Sequence, residues 1–340
     1  MVSIKDIAER CQVSSATVSK AMNGHRDVSE TTRMLVMQVA AEMGYLPNLA
    51  ARALKTNRTY NLGVLFVDDT LSGLSHEYFA PVLESFKAEA EAEGYSITFI
   101  SRNVGKQRTT YLENCRYRSV DGVLIASVNF EDPDVIELVN SEVPVIVIDY
   151  VFNNRSAIIS DNISGMSDLV NYVCDRGHSR LAFIHGEETS VTKARLASFY
   201  HTCEQRGVHV PEEYVRKGAY HDTECTAQLT RELLALKTRP TCIFFPDDFS
   251  ALGGMNAIGN AGLSIPQDIS VVGYDGIRLS RVLQPPLTTL HQDTKTIGKC
   301  AAERLISYIE RPKTTLPSNI VVPGILQEGA SVLNLLTAND

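Results

Sequence analysis

Two groups of residues have types and spacings that suit chemistry. The first is Ser15, Ala16, Thr17, Ser19 and Lys20, short hydroxyl side chains and one cation gathered on one segment. Such groups at helical spacing meet base edges and phosphate oxygens. The second is a set of carboxylates that close apolar runs: Asp68 and Asp69, Asp149, Asp247 and Asp248, and Asp275. Carboxylates at strand tips suit a polyhydroxylated ligand, because their oxygens accept hydrogen bonds from vicinal hydroxyls. An aspartate after a strand suits the cap of the next helix equally well, and Asp248 is read that way. Tyr78, Phe79 and Tyr220 offer ring faces that could stack on a flat molecule or a sugar. His178 and His185 are read as structural rather than catalytic. The spacings G-x-x-x-x-G-K-[ST], G-x-S-x-G and H-E-x-x-H do not occur, so no enzyme class is marked.

The first group needs a helix to present it. Ile4, Ile7 and Ala8 fall at i, i+3 and i+4, which gives the opening segment one apolar face. After the break at Gln12-Val13, Ser14 or Ser15 can cap a second helix whose inward stripe is Val18, Ala21 and Met22. Gly24 supplies the stop, since glycine takes the left-handed conformation without steric cost. Ala8 lets the two helices cross closely. Two short helices joined by a tight turn make a helix-turn-helix, whose second helix enters the major groove of DNA. A third helix follows Ser29, with an apolar face from Leu35, Val36, Val39, Ala40 and Met43; it stops at Gly44, and Tyr45 packs on it. Pro47 to Thr56 is rich in alanine but too short to be stable as a helix alone.

The VSSATVSKAMNG run resembles the V-S-x-x-T-V-S-R-x-x-N signature of the LacI/GalR family of bacterial transcriptional regulators. Lys20 stands where arginine is commonest, which loses a bidentate fork for guanine. Gln12 holds the turn position often taken by glycine. The resemblance implies that residues 47–60 are a hinge helix and linker that fold when two copies meet over an operator. It places Asn48, Ala51, Arg52, Leu54 and Lys55 on the minor groove, with Leu54 as the wedge between central base pairs and Arg52 and Lys55 on the flanking backbone. Unstacking a step in this way costs roughly a few kcal/mol and kinks the duplex.

Composition fits this reading. The chain has 340 residues, 44% hydrophobic and 21% charged, which is ordinary for a soluble protein of two or three domains. The net charge of −8 is uneven: residues 1–60 carry eight Lys and Arg against five Asp and Glu, a surplus of +3, which leaves −11 on the rest. A basic head on an acidic body confines nonspecific DNA contact to the head. Seven cysteines without a C-x-x-C pair, and an N-terminal segment without an apolar h-region, point to reduced thiols in the cytoplasm. No run is long enough to span a membrane, and no metal site is expected.

From Asn61 the pattern alternates apolar strands with amphipathic helices. A first series runs from Leu62 to Asp149 and a second opens with the strand at Ala157. Repeated βαβ units specify doubly wound parallel sheets. Asp161-Asn162, Arg176-Gly177-His178, the run from Ile265 to Asp275 (IPQDISVVGYD) and the run from Pro286 to Leu290 (PLTTL) continue the same resemblance. It implies an all-α helix-turn-helix head on residues 1–46 and an α/β body on 61–340, two doubly wound lobes like a periplasmic binding protein. Lobe one would take about 61–160 and 291–322, lobe two about 161–290 and 323–340. By that resemblance Asp149, Arg195 and Asp275 stand where effector contacts usually lie, and Asp247 where many members have asparagine. The expected function is a repressor, not an enzyme, that binds a pseudo-palindromic double-stranded operator as a homodimer. A small-molecule effector, a sugar or sugar derivative, would sit between the lobes with Tyr78, Phe79, Asp149, Arg195, Tyr220, Asp247 and Asp275. A protein corepressor is the other mode of control the family uses. The rival reading is an α/β enzyme or small-molecule binding protein with a vestigial DNA-binding head.

Overall fold

The computed structural model describes residues 2–22, 24–25, 27–45, 58–67 and 72–337. The chain divides into two units, residues 1–60 and 61–340.

The head is three helices, α1 (Ile4–Cys11), α2 (Ser15–Met22) and α3 (Glu30–Glu42). Ser3 opens α1 with a capping box, its hydroxyl accepting from the Asp6 N–H while the Asp6 carboxylate accepts from the Ser3 N–H. Gln12 ends it in the left-handed region, φ 54°. Ser14, not Ser15, caps α2, its hydroxyl accepting from the Thr17 N–H at 3.0 Å. Gly24, φ 68°, closes α2: its N–H donates to the Ala21 carbonyl and the His25 N–H to the Lys20 carbonyl, the paired bonds of a Schellman stop. Ser29 caps α3 as expected. Ile7, Ala8, Val18, Ala21, Val36, Val39 and Ala40 form the core of the head, and Met43 and Tyr45 pack against it. Leu35 is a correction: with 45% of its surface exposed it faces outward, as do Met34 and Met37. In the run Met34-Leu35-Val36-Met37 only one position can face the core, and the helix phase gives it to Val36.

The body holds two parallel sheets. The larger has six strands in the order Ile320–Val322, Ser156–Ser160, Val145–Ile148, Gly122–Ser127, Asn61–Phe66, Ser96–Phe99. The smaller has four, in the order Ser270–Val272, Cys242–Phe244, Leu181–His185, Val215–Lys217. Central strands are apolar throughout because helices cover both faces. The strand at Ser156–Ser160 does not open the second sheet; it pairs with Val145–Ile148 and completes the first. A late segment returns beside it, Val322 in register with Ser160. Helix Thr294–Glu310 packs on helix Phe79–Ala92. At their closest approach a side chain on Gly298 would lie 2.2 Å from the Val82 carbonyl oxygen, so only glycine fits. An antiparallel pair, Thr289–His291 with Ile325–Gln327, lies outside both sheets. Among the described residues no helix is long and apolar enough to cross a membrane.

Candidate functional site

On α2, Ser15, Ala16 and Lys20 are exposed while Thr17 and Ser19 are half-buried. The Thr17 hydroxyl is engaged with that of Ser14 at 2.8 Å, which leaves it a partner in the cap. Lys20 forms an ion pair with Asp27, and the lysine holds that carboxyl below its ordinary range. Both side chains are about half exposed, and a solvated pair of this kind contributes little, so a phosphate can displace the aspartate. The hinge positions Asn48, Ala51, Arg52, Leu54 and Lys55, and the strand-tip pair Asp68-Asp69, lie outside the described residues.

In the body the strand tips converge on a cleft between the two sheets, where ligands of open α/β sheets bind. Asp149, φ 55°, follows the strand Val145–Ile148 and accepts from the Ser160 N–H at 2.6 Å and the Tyr78 hydroxyl at 3.2 Å. Burial raises its carboxyl, and the Ser160 N–H and the Arg195 guanidinium pull it back. Burial also holds the Tyr78 hydroxyl well above its ordinary range, so it stays protonated and donates. Arg195 lies on the inner face of helix Ser190–Gln205, only 4% exposed. Its Nε donates to Asn162 Oδ1 at 2.8 Å and its Nη1 to the Pro246 carbonyl at 2.9 Å, and Nη2 lies 3.8 Å from Asp275 Oδ1. The guanidinium also stacks 3.5 Å from the centre of the Tyr274 ring and 5.9 Å from that of Tyr220. Asp275 accepts from Gln292 Nε2 at 2.6 Å, and burial pushes its carboxyl up to about 7 against the pull of Arg195.

Tyr78, Asp149, Arg195, Tyr220 and Asp275 are therefore one cluster. Tyr220 is steadied by the Thr192 hydroxyl at 2.8 Å and closes over Gly186, where any side chain would strike its ring. Phe79 packs on Phe66 and His76 beside Tyr78. Asp247 differs from expectation. It is the cap of helix Asp248–Asn260, accepting from the Ser250 N–H, the Ser250 hydroxyl and the His221 N–H at 2.7, 2.7 and 2.9 Å. Asp248 is structural but is not the cap. It is fully buried, accepts from the Ile277 N–H and the Thr289 hydroxyl, and burial holds it well above the usual carboxylate range. His178 is held between Thr241 and the Leu333 carbonyl, a structural placement.

Three rings join the cleft without a sequence signal: His221 stacks on Phe249 at 4.7 Å and meets His76 at 4.1 Å. Gln292 is also new; its Oε1 is buried with no hydrogen-bond partner among the described residues. A cavity of about 770 Å³ opens between the sheets, lined by Phe130, Tyr150, Ser160, Asn162, Glu188 and Lys193, among others. Of the seven expected effector residues only Asp149 lines it.

Residues 3–48 match the bacterial regulatory proteins of the lacI family, and residues 170–332 match the periplasmic binding protein-like domain. The HTH-type transcriptional repressor PurR of Pasteurella multocida (strain Pm70) is 33% identical over 315 residues, covering 91% of this chain and 92% of that protein. The chain belongs to the lacI family. The PurR repressor of Escherichia fergusonii is likewise 33% identical, over 98% of this chain and 97% of its own length. Among solved structures, the lac repressor dimer bound to operator and the anti-inducer ONPF is 27% identical with a TM-score of 0.77, over 98% of this chain and 99% of that one. The complex of the regulator CelR with cellobiose, 24% identical with a TM-score of 0.70, shows the same fold. As a lacI-family chain this protein is a DNA-binding transcriptional regulator, with the helix-turn-helix head and periplasmic-binding-protein-like body expected from its sequence.

Proposed function

We propose that this protein is a repressor that binds a pseudo-palindromic operator as a homodimer and is controlled by a small molecule held in the cleft of its body. The head spans residues 1–46 and the hinge and linker 47–60. The body spans 61–340, with lobe one on 61–160 and 291–322 and lobe two on 161–290 and 323–340. The observation that carries the reading is the pairing, in one chain, of a polar α2 face with a cavity framed by both sheets. Ser15, Ala16, Thr17, Ser19 and Lys20 read the major groove, and Asn48, Ala51, Arg52, Leu54 and Lys55 serve the minor groove. Asp149, Arg195 and Asp275, with Tyr78, Phe79 and Tyr220, form the ligand end of the switch; Asp247 shapes it by capping the helix behind. The ligand is a sugar or sugar derivative, because the polar groups at the strand tips are chiefly acceptors. The similarity to proteins named as repressors supports the sign of regulation, and the protein works on DNA in the cytoplasm.

Selection of bound fragments from random duplex DNA tests the reading. A pseudo-palindrome is the expected winner, because a two-fold dimer presents two α2 helices about one helical turn apart. No enrichment at low salt, where phosphate contacts are strongest, would overturn it.

A further inference from the structure

Lys20 stands in the last turn of α2 with its side chain exposed. Its ammonium is a point charge on a flexible stem, whereas an arginine carries a rigid fork that fits O6 and N7 of guanine. The ammonium is not left loose, however. Nζ donates to Asp27 Oδ2, and that bond holds the Asp27 carboxyl below its ordinary range. Asp27 is braced from both sides. Gly24 turns the chain at φ 68°, and the His25 N–H donates to the Lys20 carbonyl at 3.1 Å. The His25 carbonyl in turn accepts from Arg33 Nη2 at 2.9 Å, which ties the turn to α3. Val28, next after Asp27, is buried in the core of the head. The Asp27 carboxylate is thus carried exposed on an anchored turn, beside the one cation of the outward α2 face. Ser15 and Ala16 on that face are exposed and short, so base edges can approach α2 closely and Lys20 is the group with reach. A solvated ion pair adds little to stability, and its consequence lies in what it does to Lys20. An ammonium has three N–H donors. Asp27 takes one and so fixes the direction of the other two. It also sets a negative charge beside the cation, and the pair gains less from a phosphate than a free lysine would.

We propose that Asp27 determines base specificity: it anchors the Lys20 ammonium so that the two remaining N–H groups donate together to O6 and N7 of one guanine in each half-site. The pair supplies by geometry the double donation that an arginine fork carries in its own plane. The proposal rests on the reading of α2 as the helix in the major groove. Away from that guanine a phosphate draws Lys20 off Asp27 at little cost, and the contact then carries no sequence information. On the guanine the pair stays whole.

The test is fluorescence anisotropy of the full chain on three kinds of duplex across a range of salt. These are the duplex selected from random DNA, that duplex with each half-site guanine replaced in turn by adenine, and a scrambled duplex. For the native chain, replacing one particular guanine is expected to weaken binding about tenfold or more. In Asp27→Ala that factor is expected to fall to about threefold or less, the residue of a single undirected donor. The scrambled duplex should then bind more tightly, its salt slope steeper by about 0.9 for each head that gains a phosphate contact. Adding Lys20→Arg to Asp27→Ala is expected to restore the preference, because a guanidinium carries its own fork. In Lys20→Ala the preference is expected to be lost, and adding Asp27→Ala to change it no further, as two members of one contact require. An unchanged preference in Asp27→Ala would overturn the proposal. So would a loss that Lys20→Arg does not restore, since Asp27 would then only shape the turn. A selected duplex in which Lys20→Ala alters the preference at no guanine would also overturn it and leave the operator reading standing. A random pool that yields no selected duplex would remove the operator reading and this proposal with it.

Discussion

Asp275 shows how one side chain carries consequences beyond its own contacts. Its carboxyl moves from the ordinary 3.8 to about 7 on folding because burial outweighs the help of Arg195. A raised value means that the native state binds the proton more tightly than the unfolded chain. Stability from this group is therefore present at low pH and falls as pH rises from about 4 through about 7. Asp275→Asn is expected to remove that slope. The native protein should gain on the variant by about 2 kcal/mol at pH 5.5 relative to pH 8, measured by denaturant melts at both values. Equal differences at the two values would contradict the assignment. The neighbouring pair Asp247-Asp248 marks the limit of reading at this scale. Their position at a strand tip is legible, but which aspartate caps the helix turns on a one-residue choice of helix start, and neighbouring side chains settle it. Asp247→Ala is expected to cost about 1–2 kcal/mol of stability in a denaturant melt, as a lost helix cap does.

Among the elements, the head was the most legible, because periodicity, caps and the glycine stop all agree over short distances. The turn at Gln12 departs from that economy. Its φ of 54° strains a side chain, so Gln12→Gly is expected to stabilise the head by roughly 0.5–1 kcal/mol, read from amide exchange in α1 and α2. A destabilised head would mean that the Gln12 side chain makes contacts that outweigh the strain. The hinge makes a sharper claim. Leu54→Ala should weaken operator binding by roughly a few kcal/mol while the body melts unchanged, since the wedge acts only on stacked bases. Unchanged affinity in that variant would remove the wedge. The two-residue strands at Asn103–Val104 and Gln107–Arg108 carry too little pattern to announce a hairpin. The strand at Ser156–Ser160 opened a second series in the alternation alone, because parallel partners are chosen by packing far along the chain, whereas the lobe bounds implied by the resemblance kept it with the first; it pairs with Val145–Ile148.

For the whole molecule, the alternation of strands and helices fixes an α/β body, and the motif order carries the family. The strand-tip carboxylates, Arg195 and the tyrosines were legible as polar and aromatic groups, but of the seven expected effector residues only Asp149 lines the cavity. The inner economy of the cleft was not legible: Arg195 donates to Asn162 and the Pro246 carbonyl, and the rings of His76, His221 and Phe249 meet only when distant segments fold together. On the proposed function, occupancy of this cleft and occupancy of the operator are coupled, and such coupling is reciprocal in free energy. The most direct measurement is fluorescence anisotropy of the full chain on its selected operator duplex, with and without a saturating amount of a sugar that raises its Tm. Operator affinity is expected to change about tenfold or more, the scale of typical coupling energies. Identical affinities at saturating sugar would contradict it.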